Sequence, residues 1–318
     1  VPSFAAKSDK ELHMTKVLPD KEVDLIHLTE AAETLLAGFS RYVQAVSLLD
    51  WMPNSGYLAL IYRAILSRQH DALVAVVEMV RRDHGHAAVA LLRPACEEYM
   101  WVKYLKSLSR NQAEMLVLAL AGSEVNTSLD KQREFLGKDV MLSMGFSDDH
   151  LSRTGIGMER AKDILDILGR QLDLHKGYRN KGDRKYGEPP SMWHVADKTQ
   201  NTDLYKYLYH ATSRSVHFSI GELLRRAWGG AGHIKVESEP FRFYWSAFAV
   251  YWGLFLYRNT LSELADVLPT PDELGIPDDL LNEEQFITSL KLMEDFGHVP
   301  IITPGELLWP SDWPTEPH

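Results

Sequence analysis

The sequence predicts an all-α fold, a multi-helix bundle with an irregular, Pro-rich C-terminal extension. Apolar residues recur at helical spacing from about Leu28 onward, and runs of β-branched residues alternating with polar ones are nearly absent. One segment, Phe243 to Tyr257, is apolar on most faces, as the central helix of a bundle is. At 318 residues and 45% hydrophobic content, the chain has the apolar material for a sizeable core and is not disordered as a whole.

Residues 1–27 read as an N-terminal tail: Val1 stands where a Met would, and no apolar signal core follows, which suggests a trimmed end. Residues 28–268 read as the bundle domain. Leu28-Thr29-Glu30 opens the first helix with Thr29 as its N-cap, and Pro53-Asn54-Ser55-Gly56 stops it after about Asp50. Tyr57 to about Asp83 forms the second. Ala87 to Ser107 forms the third, in which Pro94 removes a backbone hydrogen bond and should bend the helix, opening a pocket beside Arg93.

Asn111 to about Asn126 and Leu129 to Gly137 suggest two further helices, and Glu159 to His175 another, after a start signal at Ser147-Asp148-Asp149. Gly177 to Thr202 reads as a long loop of the kind that carries function or moves. An Asn201-Thr202-Asp203 cap then starts a helix that continues through Arg226 and is closed by the run Trp228 to Gly232. Pro240 to Leu268 is the central aromatic helix. Residues 269–318 form the extension, broken by Pro269, Pro271 and Pro277. It holds one helix near Asn282 to Phe296 and an end, Leu308 to Pro314, whose Trp residues should pack back on the bundle.

The net charge of -10 repels a phosphate backbone at long range unless basic residues gather locally. Lys176, Arg179, Lys181, Arg184 and Lys185 do so within ten residues, although such a run ordinarily reads as a solvated loop. Cys96 is alone, so no intramolecular disulfide forms and the cytoplasm is the expected location. The longest apolar run is shorter than the roughly 20 residues a bilayer needs, so no membrane is expected. A homodimer is compatible with an acidic bundle of apolar helices, though no pattern selects a surface.

The most informative stretch is Tyr205 to His217. On a helix it sets Tyr205, Tyr209, Ser213 and His217 along one stripe, because residues four apart stack over successive turns. Four hydrogen-bonding side chains on one face point to a polar site. Arg93 and Glu97 are likewise four apart and can pair, while Glu98 points about a quarter-turn away. His217 can then serve as general acid or base, Arg93 as anion clamp, and Glu97 as the group that orients one of them. Tyr209, Glu98 and Arg214 are candidate substrate contacts. Ser213 beside His217 has nucleophile geometry, but there is no Gly-x-Ser-x-Gly elbow. No metal ligand set is expected, since His-Glu-x2-His and Glu-x2-His pairs are absent, and no cofactor is, since Gly229-Gly230-Ala231-Gly232 closes a helix rather than opening one.

Leu91-Leu92-Arg93-Pro94 with Glu97 and Glu98, followed by Tyr205-x3-Tyr209-x3-Ser213-x3-His217-Phe218-Ser219, resembles a widespread bacterial all-α family catalogued only as a domain of unknown function. That family is recognised by an Arg-x3-Glu helix and a later Ser-x2/3-His helix, and the similarity spans roughly Tyr57 to Leu268. It implies Arg93, Glu97, Ser213 and His217 as shared polar positions and no reaction. A looser resemblance is to HEPN-like helical nucleases, which carry Arg-x4-6-His. Arg63/His70, Arg81/His86, Arg170/His175 and Arg226/His233 have that spacing, at a frequency near chance. His217 departs from it, with Arg214 only three residues before.

The expectation is therefore metal-free acid–base chemistry on a phosphate-containing small molecule or a nucleic acid, nuclease-like in kind. Two alternatives stand beside it. One is a small-ligand binding or sensor protein in which the same residues brace the bundle; the other is a metal-dependent hydrolase built on Glu97, Glu98 and His217.

Overall fold

In a computed structural model, the described residues are 22–50, 56–176, 185–230, 233–236, 239–277 and 283–302. Among them the chain forms α1 (Glu22–Leu48), α2 (Tyr57–Arg81), α3 (Gly85–Val89), α4 (Leu92–Ser107), α5 (Arg110–Leu136), α6 (Lys138–Ser143) and α7 (Asp148–Leu172). Then come α8 (Met192–Lys198), α9 (Thr202–Val216), α10 (Ile220–Arg226), α11 (Glu239–Leu264) and α12 (Glu283–Phe296). The protein is an all-α bundle with one small addition, an antiparallel hairpin of β1 (Ala227–Gly230) and β2 (His233–Val236). That hairpin replaces the helix C-cap expected at Trp228 to Gly232. Backbone pairing of Ala227 with Val236 and Gly230 with His233 satisfies the amides in a ladder instead.

Several helix boundaries differ from expectation for local reasons. α1 begins before Leu28, because Leu25, Leu28, Ala32 and Leu35 form one continuous buried stripe. Thr29 is accordingly not a cap; its buried hydroxyl donates to the Leu25 carbonyl at 2.7 Å. The two helices expected between Asn111 and Gly137 are one, α5. Its N-terminus is closed by a capping box in which the Ser109 side chain accepts from the Gln112 amide and the Gln112 side chain accepts from the Ser109 amide. Ser147 caps α7 directly, so the start signal and the helix behind it are continuous. The loop expected from Gly177 to Thr202 contains α8; the basic residues Arg179, Lys181 and Arg184 lie outside the described residues, as do Trp309 and Trp313.

Pro94 breaks the helix rather than bending it. It sits in the first turn of α4, where its missing amide is unneeded, and the residue four before it, Ala90, lies in the break between α3 and α4. The amides of Ala90 and Leu91 bond three residues back, to Ala87 and Ala88, which tightens the turn and closes α3.

The chain divides into two compact units. The first holds residues 1–49, 63–99 and 206–318, with α11 at its core: Phe241, Trp245, Phe248, Tyr251 and Leu254 are all buried. α3 packs on α11, and α12 packs on α1. The second holds residues 50–62 and 100–205 and is dominated by α5 against α7. Gly122 faces Ala161 and Gly157 faces Asn126, so these two helices run antiparallel.

Candidate functional site

The Tyr-Ser-His stripe of α9 grades from inside to outside. Tyr205 is buried, Tyr209 and Ser213 are half-buried, and His217 is exposed just past the helix end, where its amide donates to the Ser213 carbonyl at 2.9 Å. Carbonyls left over at this C-terminus favour nearby cations. Arg93 lies beside that helix end. Its Nη1 lies 3.2 Å from His217 Nε2, its Nε donates to Glu97 Oε1 at 3.3 Å, and its Cζ stacks 4.6 Å from the centroid of the Tyr209 ring. Three of the sequence-predicted residues, Glu97, Tyr209 and His217, therefore converge on the guanidinium of a fourth, Arg93. Because a guanidinium only donates, Nε2 of His217 is the acceptor in that bond.

Other predicted members are elsewhere. Ser213 does not pair with His217: its Oγ is buried and makes no hydrogen bond. Glu98 faces α2, where it takes Arg68 Nε at 2.5 Å and Gln69 Nε2 at 3.1 Å. Burial pushes its carboxyl up to about 7 despite those two donors, with Glu97 adding repulsion. Arg214 turns from Arg93 towards Glu222, its Nε 3.2 Å from Oε1.

That last contact belongs to a cluster the sequence reading missed. Glu222 Oε1 also accepts from Arg225 Nη1 at 3.0 Å, and Glu222 Oε2 lies 4.0 Å from His86 Nε2. His86 in turn accepts from Arg226 through Nδ1 at 3.0 Å, and its ring meets Trp245 edge-on at 4.7 Å. Burial, reinforced by the Arg226 charge, holds His86 below the ordinary histidine value and so keeps it neutral. Two glycines make room for the cluster. A Cβ on Gly85 would sit 2.6 Å from the backbone nitrogen of Ser246, and one on Gly221 would sit 2.7 Å from Nη2 of Arg214. Glu222-x2-Arg225 was a readable pair, but the break at residues 217–219 sets the geometry of Arg214 to Glu222, and no helical spacing encodes it.

Among the described residues no three His, Cys, Asp or Glu side chains converge as a metal ion would require, and no helix is long and apolar enough to cross a membrane. In comparison with known proteins, the model of a family of unknown function, DUF5677, matches residues 60–232. The match begins close to the expected Tyr57 and takes in both Arg93 and His217. It lends no support to the HEPN-like resemblance. Neither a curated protein nor a solved structure matches.

Proposed function

The chain belongs to this family of unknown function, and from that premise we propose that the Arg93–His217 pair binds a phosphate-bearing substrate and moves a proton on it. The observation that carries this reading is the 3.2 Å bond between Arg93 Nη1 and His217 Nε2 at an exposed helix end. A phosphate oxygen arriving at Arg93 competes for the same N–H, and its engagement releases the Nε2 lone pair beside the bound group. Nε2 then takes the proton of an attacking hydroxyl or water as its oxygen bonds to phosphorus and the P–O bond to the leaving alcohol breaks, the departing alkoxide taking a proton from solvent. Glu97 and the Tyr209 ring hold the guanidinium in place throughout. A nucleic acid is one source of such a phosphate. We also propose a cytoplasmic setting, supported by the lone Cys96, a buried thiol pushed up to about 12 by burial and so unreactive.

The test is hydrolysis of bis(p-nitrophenyl) phosphate and of a single-stranded RNA oligonucleotide by wild type and His217→Ala. The variant should lose on the order of 10²–10⁴ in rate, with little change in Tm because the side chain is exposed. Turnover that survives the substitution overturns the reading. A large drop in Tm identifies His217 as a brace for the bundle instead.

A further inference from the structure

A short segment after α12, residues 297–302, lies over the second cluster. Tyr244 donates its hydroxyl to the Pro300 carbonyl at 2.7 Å and to the Ile301 carbonyl at 2.8 Å, Tyr207 donates to the Val299 carbonyl, and the Tyr251 hydroxyl meets His298 Nδ1 at 2.8 Å. Ile301 helps line a cleft of about 230 Å³, counting its open mouth, whose closed inner part takes a single water-sized molecule. Arg214, Ser215, Glu222 and Arg225 line the same cleft, with Trp245 and Phe248 as apolar wall.

The two terminal nitrogens of Arg225 meet two oxygens from different residues: Nη1 donates to Glu222 Oε1 and Nη2 to the Ile301 carbonyl. Two oxygens on one guanidinium edge is how arginine grips the O–C–O edge of a carboxylate or the O–P–O edge of a phosphate. Further donors crowd the same two atoms, Arg214 on Glu222 Oε1 and Tyr244 on the Ile301 carbonyl. Glu222 Oε2, on a side chain only 8% exposed, is buried and accepts no hydrogen bond. His86 Nε2 lies 4.0 Å from it, beyond hydrogen-bond reach, so the two arginines meet this carboxylate through Oε1.

We propose that the cleft is an oxyanion site for a small molecule bearing a phosphate or carboxylate, in which Glu222 Oε1 and the Ile301 carbonyl stand where the two ligand oxygens bind. The Ser215 hydroxyl is a further donor, and the aromatic wall takes the carbon body of the ligand. Binding displaces Ile301, so ligand and docked segment exclude each other and are linked. The site is separate from the Arg93–His217 pair and does not depend on the role given to it.

The test uses the full chain, with inorganic phosphate and acetate as separate probes, and reads hydrogen exchange of the amides of residues 297–302. Saturable acceleration of on the order of 10-fold is expected with at least one probe, and which probe acts identifies the ligand class. Arg93→Ala should keep the response and Arg214→Ala should lose it, and Arg225→Lys, which keeps the charge and loses the fork, should lose it too and replaces a variant that does not fold. Glu222→Gln removes the competing charge and should tighten binding on the order of 10-fold. Unchanged exchange with both anions overturns the proposal. So does a response that follows Arg93 rather than Arg214, or weaker binding by Glu222→Gln.

Discussion

At the scale of single residues, the same side-chain type takes opposite roles according to what surrounds it. Glu97 is part-exposed and pairs with Arg93, whereas its neighbour Glu98 is buried and its carboxyl is pushed up to about 7. A carboxyl whose folded value lies above its unfolded value stabilises the fold at low pH, and that contribution is lost as pH rises through about 7. Glu98→Gln cannot ionise, so between about pH 5 and pH 8 the variant should gain on wild type by on the order of 2 kcal/mol in urea unfolding. Parallel stability curves for the two proteins would show that Glu98 is not desolvated. His70, hydrogen-bonded to Tyr257, and His86 act in the other direction: both are held low chiefly by burial, so their contribution is lost as pH falls. The pairing of Arg93 with Glu97 and the stripe from Tyr205 to His217 were legible in the sequence, because a helix converts spacing into adjacency. The idle Ser213 hydroxyl and the turn of Glu98 towards Arg68 were not, since both depend on which helix stands opposite.

At the scale of elements, breaks matter more than helices. Pro94 separates α3 from α4, and residues 217–219 separate α9 from α10. Each break re-aims a short helix: α3 brings His86 to Trp245, and α10 brings Glu222 and Arg225 to Arg214. The close approach of α3 to α11 depends on Gly85, where a Cβ would fall 2.6 Å and 2.8 Å from the backbone nitrogen and Cα of Ser246. Backbone cannot step aside as a side chain tip can. Gly85→Ala should therefore cost about 2–3 kcal/mol, read as a lower denaturation midpoint at unchanged m-value, and an equally stable variant would show that α3 is free to shift. Helical periodicity marked most of these segments correctly and misplaced the joints. A joint is decided by caps, prolines and tertiary contact rather than by the apolar repeat.

At the scale of the molecule, the C-terminal extension is part of the first unit's framework. Met293 and Phe296 of α12 are buried, α12 packs on α1, and the Tyr42 hydroxyl donates to the Pro269 carbonyl at 3.0 Å. The segment beyond α12 is then held by Tyr207, Tyr244 and Arg225. A chain ended after Ile276 keeps the Tyr42–Pro269 bond but loses α12 and the segment behind it, and exposes the apolar face of α1. It should melt at least about 8 °C lower, or aggregate, in a thermal scan by circular dichroism. A truncated chain that melts as wild type would make the extension peripheral.

The amino-acid sequence determined the helical class, the central place of the aromatic helix, the family, and the pairing of polar groups within single helices. All of these follow from periodicity, composition or short motifs, which act along the chain. The tertiary structure decided which polar residues meet across helices: Arg93 with His217 at the open end of α9, Glu98 with Arg68, and Glu222 with Arg214, Arg225 and His86. Those meetings are set by helix breaks, by two glycines that admit close approach, and by a segment far along the chain. Their energetics come from desolvation and from distances between groups that local spacing does not encode.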